Sequence, residues 1–240
     1  MEGGALEAFV RLGAASMGLD VGPWYRAPME RDFWLERWST QQIGFHLSAA
    51  NPRLVAHRDV LARAPKVLVP LCGKTLDLVY LAGHGHEVVG VELAERAARD
   101  FFDEQGLSPE VREVGSLRLC STDRIAIAVG DFFHATADVL GTFDGVYDRA
   151  ALIALPPEMR SRYVAHLRSL VRPGGRVLLV TLDFDAPGGP PFSVTEEEVR
   201  TLYAGAHVSL LERVDVTDDS PNLLARGATR VSELVFAIDP

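Results

Sequence analysis

The chain has 240 residues, 48% of them hydrophobic, and its 24 basic and 33 acidic residues give a formal charge of -9. This composition is that of a folded globular protein, and the negative balance argues against a protein that coats nucleic acid, because binding phosphates needs a net basic face. Two cysteines are too few for a disulfide scaffold, no apolar run approaches the ~20 residues of a membrane span, and the acidic N-terminus is not a secretory signal, so we expect a cytoplasmic protein.

The predicted elements start after residues 1–28, a lead that glycine and proline interrupt too often for regular structure. Apolar residues recur at helical spacing from Met29, which predicts a first helix, and a second helix is predicted over 52–64 with Asn51 as its cap. Short apolar runs then alternate with helical patterns. The predicted strands are 66–70, 87–91, 125–129, 143–148, 177–181, 208–214 and 231–238, and the predicted helices between them are 75–82, 94–105, 156–171 and 195–203.

This alternation predicts an α/β fold, because parallel strands need helical crossovers that cover both faces of a mainly parallel sheet. A single domain is expected over 29–240. Ligands of such a sheet bind beyond the carboxyl ends of the strands, near the change in strand order. The candidate loops are therefore those that follow the first four strands, at residues 70–74, 92, 130–131 and 148–149.

The loop after the first strand contains one glycine, Gly73, followed by Lys74 and Thr75. A phosphate-binding loop needs another glycine five residues earlier, where Leu68 stands, and a dinucleotide-binding loop needs three glycines, so neither motif is present. Two interpretations remain open: a plain strand–helix turn, and a loop whose glycine lets the backbone approach a nucleoside that has no pyrophosphate.

Acidic residues follow the next two strands. Glu92 ends the second strand, where a carboxylate of a βαβ unit accepts hydrogen bonds from ribose hydroxyls; the alternative is a solvated glutamate. Gly130 and Asp131 end the third strand and present an amide and a carboxylate to an adenine edge, or Asp131 caps the turn that follows.

Cysteine and histidine near these loops do not predict further chemistry. Cys72 has no histidine partner nearby in the sequence, so we interpret it as a small packing residue and not as a nucleophile. His84 and His86 lie where a helix ends and lack a third ligand at metal-binding spacing, so no metal site is predicted.

Five blocks of the chain resemble the thiopurine S-methyltransferase family. They are Trp34-Leu35-Glu36-Arg37-Trp38 with Phe45-His46, Pro70-Leu71-Cys72-Gly73-Lys74, Gly85-His86-Glu87-Val88-Val89-Gly90-Val91-Glu92, Tyr147-Asp148-Arg149-Ala150-Ala151-Leu152 and Gly189-Pro190-Pro191-Phe192. The resemblance implies a three-layer α/β/α, Rossmann-like class I methyltransferase fold, with a seven-stranded sheet, an antiparallel last strand and an N-terminal helical lid. It also implies S-adenosyl-L-methionine as the cofactor and S-adenosyl-L-homocysteine as its product.

The same resemblance implies the residues of the site. For the cofactor it implies Trp34, Trp38, Phe45, Leu71, Gly73, Glu92, Gly130, Asp131 and Arg149. For the acceptor it implies Phe45, Pro191 and Arg226, with Arg149 as the catalytic group that stabilises an anionic acceptor. By spacing alone, Trp34 and Trp38 also fit one face of a helix packed in the core.

The expected reaction is in-line transfer of a methyl group to the sulfur of an aromatic or heterocyclic thiol. A sulfonium donor is already activated, so the protein has mainly to align the reactants and exclude water. Two alternatives stay open: a small inorganic or chalcogen acceptor, such as thiocyanate, a halide or a selenium or tellurium species, and a cofactor-binding protein without catalysis. We expect a monomer that acts on a small-molecule nucleophile, without nucleic acid, membrane or metal.

Overall fold

The computed structural model describes residues 31–42 and 46–240. The lead predicted over 1–28 and the candidate residue Phe45 lie outside the described residues. In the part that is described, no helix combines the length and the apolar character needed to cross a membrane.

A nine-stranded sheet forms the centre of the described structure. Its strands are β1 Lys66–Pro70, β2 Glu87–Glu92, β3 Glu110–Val114, β4 Leu117–Ser121, β5 Ile125–Val129, β6 Phe143–Asp148, β7 Val171–Phe184, β8 His207–Asp215 and β9 Val231–Asp239. They lie in the order β3-β4-β5-β2-β1-β6-β7-β9-β8. The five strands from β5 to β7 are parallel neighbours, and β9 is antiparallel to both β7 and β8. The predicted α/β class and the antiparallel last strand are confirmed.

The helices are α1 Arg31–Ser39, α2 Pro52–His57, α3 Asp77–Gly83, α4 Glu95–Glu104, α5 Ala137–Leu140, α6 Ala151–Ala154, α7 Pro157–Leu170, α8 Glu196–Leu202 and α9 Pro221–Leu224. The side chain of Asn51 accepts a hydrogen bond from the Arg53 N–H and caps α2 as predicted. The second predicted helix ends earlier than expected, because the chain tightens into a 3-10 turn over Arg58–Leu61. This turn brings Leu61 into the core, where its side chain is 1% exposed.

The sheet has two strands more than the seven predicted, because β3 and β4 form a hairpin beside β5. The side chains of β3 are mostly charged and exposed, so this edge strand shows none of the apolar character by which the other strands are recognised. The two-residue turn Gly115-Ser116 between paired Val114 and Leu117 is the sequence signal that predicts it, since a short turn beginning with glycine is typical of hairpins.

Successive residues of β1 pack into two different layers. Val67 and Val69 lie in a cluster with Leu78 of α3 and Phe101 of α4, whereas Leu68 lies in a second cluster with residues of α7 and α8. Side chains of a strand point alternately to the two faces of the sheet, and helices cover both faces here, as a buried parallel strand requires. The result is the predicted three-layer arrangement of helices, sheet and helices.

Gly145 in β6 provides a test of this packing. A Cβ atom added there would lie 2.9 Å from both Ala64 Cβ and Leu61 Cδ2. We therefore expect Gly145→Ala to lower the free energy of unfolding by about 1–3 kcal/mol, the usual cost of overpacking a core. The control is Gly83→Ala at the end of α3, where an added Cβ meets no atom within 4 Å. Equal urea-unfolding midpoints for the two variants would contradict the packing described.

Candidate functional site

The loops that follow β1, β2, β5 and β6 meet at one edge of the sheet. The strands are parallel and in close register, so that Pro70 pairs with Val91 and Glu92 pairs with Val129. The change in strand order falls between β1 and β6, which are neighbours although four strands separate them in the chain. The structure therefore brings together the four loops that the sequence analysis selected.

The first loop has an unusual backbone on both sides of Cys72. Leu71 and Gly73 both adopt the left-handed conformation, with φ angles of 48° and 54°. A residue with a side chain pays of order 1 kcal/mol for this conformation, so the loop is not a plain continuation of the strand into the helix. The backbone N–H of Cys72 donates to the carbonyl oxygen of Val91 at 3.0 Å, which attaches the loop to β2.

Glu92 lies at the centre of the site and is 6% exposed, so the alternative of a solvated glutamate is wrong. Its Oε2 accepts a hydrogen bond from the Gly73 N–H and its Oε1 accepts one from the Ala94 N–H, both at 2.8 Å. Burial raises the pKa of the Glu92 carboxyl, and these hydrogen bonds oppose that rise. Each oxygen can accept further bonds, so the fixed carboxylate retains capacity for two hydroxyl donors.

Gly130 and Asp131 continue this arrangement on β5. The Gly130 N–H donates to the backbone oxygen of Glu92 at 2.8 Å, and a Cβ at position 130 would lie 2.5 Å from Leu117 Cδ2. The φ of Gly130 is +147°, a conformation that residues with a side chain rarely adopt, which favours glycine at this strand end. Asp131 is exposed, and its Oδ1 accepts a hydrogen bond from the Phe133 N–H at 2.9 Å, which confirms the predicted cap. The cap uses only one of the two carboxylate oxygens.

Asp148 ends β6 and is fully buried. Its Oδ1 accepts hydrogen bonds from the N–H groups of Ala151 and Leu152 at 3.1 and 3.2 Å, and its Oδ2 accepts one from the Tyr163 hydroxyl at 2.7 Å. Burial raises the pKa of Asp148 to about 6 against the effect of these bonds. Asp148 lies in the loop predicted at residues 148–149, and an aspartate just before a helical turn is a recognisable cap.

Arg149 follows this buried aspartate directly and is half-buried. Within 31–42 and 46–240, its guanidinium makes no ion pair or hydrogen bond with another residue. His46 was not selected from the sequence, although it stands in one of the family blocks. Burial lowers the pKa of His46, and the positive charges of Lys74 and Arg149 lower it further. The His46 imidazole is therefore near Lys74, which pairs with Glu104 at 2.5 Å, and near Arg149.

The N-terminal helix α1 lies beside the same edge. Trp38 is 4% exposed and packs with Leu35 against Ala94 and Ala97 at the start of α4. Trp34 is half-buried, and the ring of Phe33 meets it edge-on at 5.4 Å. Trp38 thus anchors α1 against Ala94, which lies two residues beyond Glu92 in the chain.

The two candidate acceptor residues of the late loops are in contact. Arg226 donates to the carbonyl oxygens of Pro191 at 3.1 Å and of Pro187 at 2.9 Å, and also to that of Gly188. Its guanidinium lies 5.4 Å from the ring centre of Phe184, and burial lowers its pKa. Arg226 therefore holds the backbone of the loop that contains Pro191.

The remaining cysteine and histidine candidates have structural surroundings. Cys72 is buried against Gly90, where an added Cβ would lie 2.5 Å from its Sγ, and burial raises the pKa of its thiol. His84 and His86 each place Nδ1 within hydrogen-bond distance of a backbone carbonyl oxygen. No group of three or more potential metal ligands occurs among the residues that the structure describes. The interpretation of Cys72 as a packing residue is confirmed.

The site can be compared with known proteins. A family model described as thiopurine S-methyltransferase matches residues 29–239. The proteins of that name from Azotobacter vinelandii and Pseudomonas fluorescens strain Pf0-1 are each 50% identical to this chain over 216 residues, and the matches cover 88% of this chain and 99% of each relative. The protein of that name from Pseudomonas putida strain KT2440 is 47% identical over 214 residues, with the same coverage.

Solved structures show the same fold at low sequence identity. A methyltransferase from Anabaena variabilis aligns with a TM-score of 0.60 and 14% identity, over 87% of this chain and 93% of that chain. The 1,6-didemethyltoxoflavin-N1-methyltransferase of Burkholderia thailandensis, with bound 1,6-didemethyltoxoflavin and S-adenosylhomocysteine, aligns with a TM-score of 0.58 and 20% identity, over 88% and 89% of the two chains. The class I methyltransferase fold is thereby confirmed.

The raised pKa of Asp148 makes a prediction about stability. Between pH 4 and pH 6 the folded state holds a proton on this carboxyl that the unfolded state has lost, so its contribution to stability falls as the pH rises. Asp148→Asn keeps the Oδ1 acceptor but cannot ionise. We expect the unfolding free energy of the variant, relative to the wild type, to rise by about 2 kcal/mol from pH 4 to pH 7.

Urea unfolding at both pH values measures this difference, with Asp131→Asn as the exposed control. A difference between Asp148→Asn and the wild type that did not change with pH would show that the buried charge has no such cost.

Proposed function

This chain belongs to the thiopurine S-methyltransferase family and is an S-adenosyl-L-methionine-dependent methyltransferase, and we propose that its acceptor is the sulfur of an aromatic or heterocyclic thiol. The observation that carries the proposal is the position of Arg149. It follows the fully buried Asp148, lies near the His46 imidazole, and pairs with no acidic group in the described part of the chain. A guanidinium in these surroundings suits an anionic acceptor such as a thiolate.

The edge of the sheet fits the nucleoside half of the cofactor. Glu92 offers two fixed carboxylate oxygens with remaining acceptor capacity, which matches the two hydroxyls of a ribose. We assign Leu71, Gly73 and Glu92 to the ribose side, and Gly130 and Asp131, whose Oδ2 is not used by the cap, to the adenine edge. When bound, S-adenosyl-L-methionine supplies an activated methyl group on a positively charged sulfur.

The aromatic residues of the N-terminal segment are proposed to cover the cofactor. Trp38 anchors α1 next to the segment that follows Glu92, and this packing sets where the half-buried Trp34 lies. Aromatic faces attract a sulfonium cation and exclude water from it, which suits Trp34 and Phe45 to the cofactor and Phe45 to a planar acceptor as well. The assignment of Phe45 rests on the family resemblance alone.

The acceptor is proposed to lie between Arg149 and the loop of Pro191. The Phe192 N–H donates to the carbonyl oxygen of Ile153 at 2.7 Å, so this loop is attached to α6, four residues beyond Arg149. Aromatic and heterocyclic thiols lose their proton near neutral pH, and the positive charge of Arg149 favours the thiolate further. The chain then needs no strong base, because its residues have only to bind the anion, align it and exclude water.

We also propose that residues 29–240 act as a single domain and a monomer on a small molecule in the cytoplasm. The free thiols of Cys72 and Cys120 suit a reducing compartment. The net negative charge of the chain disfavours nucleic acid as the substrate.

The acceptor is tested by transfer of radiolabelled methyl groups to 6-mercaptopurine and to thiophenol. We expect labelled thioethers, and a loss of about 10- to 100-fold in kcat/KM for Arg149→Met, as for removal of a charge-assisted hydrogen bond. Arg176→Met is the control, since Arg176 pairs with Asp239 at the far end of β7 and should leave kcat/KM unchanged. Volatile methyl products without thioethers would instead support a small inorganic or chalcogen acceptor. Tight binding of S-adenosyl-L-homocysteine without any methyl transfer would support a non-catalytic protein.

The cofactor site is tested by Glu92→Gln. The substitution places an amide N–H₂ group against the backbone N–H of either Gly73 or Ala94, so that two donors face each other. It also removes the carboxylate charge that would strengthen hydrogen bonds from the ribose hydroxyls. We expect the affinity for S-adenosyl-L-homocysteine in calorimetry to fall by about 100-fold, from two charge-assisted bonds of about 1.5 kcal/mol each. Glu87→Gln, on the exposed opposite end of β2, should bind as the wild type does. Equal affinities of the two variants would refute the assignment.

A further inference from the structure

Three polar side chains of α7 lie three residues apart in sequence, and each contacts a different loop of the proposed site. They are Arg160, Tyr163 and His166. Positions three apart are neighbours on one side of a helix. We propose that these are positioning residues, through which α7 sets the relative positions of the cofactor and acceptor loops. The inference rests on the proposed function for the assignment of each loop to a ligand.

Tyr163 holds the loop that carries Arg149. Its side chain is 1% exposed, and its hydroxyl donates to Asp148 Oδ2 at 2.7 Å. The other oxygen of Asp148 accepts the N–H groups of Ala151 and Leu152. Arg149 therefore lies between a strand end and a helical turn that are joined through one carboxylate, and Tyr163 fixes the orientation of that carboxylate.

His166 holds the loop proposed for the adenine. Its Nε2 lies 3.0 Å from the carbonyl oxygens of both Phe132 and Ala135. Both partners are acceptors, so Nε2 carries the proton and donates to them. These residues belong to the segment that begins directly after Gly130 and Asp131. The His166 ring also meets the Phe132 ring edge-on at 5.1 Å.

Arg160 joins the acceptor side to α8. It is 1% exposed, its Nε donates to the carbonyl oxygen of Leu155 at 3.0 Å, and its Nη1 donates to that of Ser193 at 3.2 Å and to Glu198 Oε1 at 2.6 Å. Leu155 follows α6, and Ser193 lies two residues beyond Pro191. One guanidinium thus fixes both segments that border the proposed acceptor position.

Stability alone does not explain these three residues. Replacing both partners of a buried hydrogen bond by apolar groups of the same shape changes the folding free energy little, because desolvation offsets most of the bond. What directional bonds add is a fixed geometry, and methyl transfer between two bound reactants depends on alignment to a fraction of an ångström. The side chains of Phe132 and Tyr163 are in contact, with ring centres 5.2 Å apart, so the cofactor and acceptor loops meet on α7.

The chain offers a matched control for the tyrosine. Tyr203 is fully buried in the same core cluster as Tyr163, but its hydroxyl has no hydrogen-bond partner among the described residues. Tyr163→Phe and Tyr203→Phe each remove one buried hydroxyl, and only the first removes a bond to a loop of the site. For His166, the variant His166→Phe keeps an aromatic ring and removes the N–H donor.

The experiment measures the calorimetric Kd for S-adenosyl-L-homocysteine, the KM and kcat for thiophenol, and the urea-unfolding midpoint. We expect His166→Phe to weaken cofactor binding by about tenfold, as for loss of one net hydrogen bond, with the acceptor KM within twofold of wild type. We expect Tyr163→Phe to change KM or kcat for thiophenol by about tenfold, with the Kd within twofold. Tyr203→Phe should change neither. His166→Gln, which restores an N–H donor, should recover part of the affinity.

Other outcomes decide against the inference. If Tyr163→Phe and His166→Phe alter Kd, KM and kcat together, in proportion to their loss of stability and as Tyr203→Phe does, the residues have a structural role only. In the Asp148→Asn background, Tyr163→Phe should have a smaller effect on KM and kcat; an unchanged effect would also overturn the proposal. If the wild type methylates no thiol, the proposed acceptor is wrong, while the His166 measurement needs no acceptor and still decides the present inference.

Discussion

The hydrogen bonds of the buried Glu92 carboxylate are the interaction on which the site depends. A buried charge is costly unless it is fully hydrogen-bonded, and here each oxygen receives a backbone N–H, from Gly73 and from Ala94. The left-handed conformation of Leu71 and Gly73 is what directs the first of these groups towards the carboxylate. The backbone of Glu92 then receives the N–H of Gly130. The loops after β1, β2 and β5 are thus fixed relative to one residue, Glu92.

Asp148 has the corresponding place on the other side of β1. It too ends a strand, is buried, and accepts two backbone N–H groups from the segment that follows. In the sheet order, β2 and β6 flank β1, so the two carboxylates border the point where the strand order changes. In the proposed function, Glu92 organises the cofactor half of the site and Asp148 the acceptor half. Burial raises the pKa of both, which is the expected cost of placing carboxylates where they can orient backbone groups.

The late loops show how an assigned role changes once contacts are known. Arg226 is the candidate acceptor residue that the family resemblance supplies, and its guanidinium is bonded to carbonyl oxygens of the loop that contains Pro191. An arginine bonded to backbone carbonyls sets the shape of a loop, and through it the space for an acceptor. The indole of Trp38 likewise packs α1 against α4, as the helix-face alternative from spacing describes.

The sequence by itself determined the α/β class, seven of the nine strands of the sheet, the cap at Asn51, and the loops of the site. These features depend on residues close together in the chain, and an apolar run or a capping pattern is complete within about ten positions. Only the tertiary structure decided the bonds of Arg226 and the contacts of Tyr163 and His166. Their partners lie 35 residues away for Arg226 and Pro191, 15 for Tyr163 and Asp148, and 34 for His166 and Phe132, so no local pattern records them. Directional contacts between distant segments form only when the sheet has brought its strand ends to one edge.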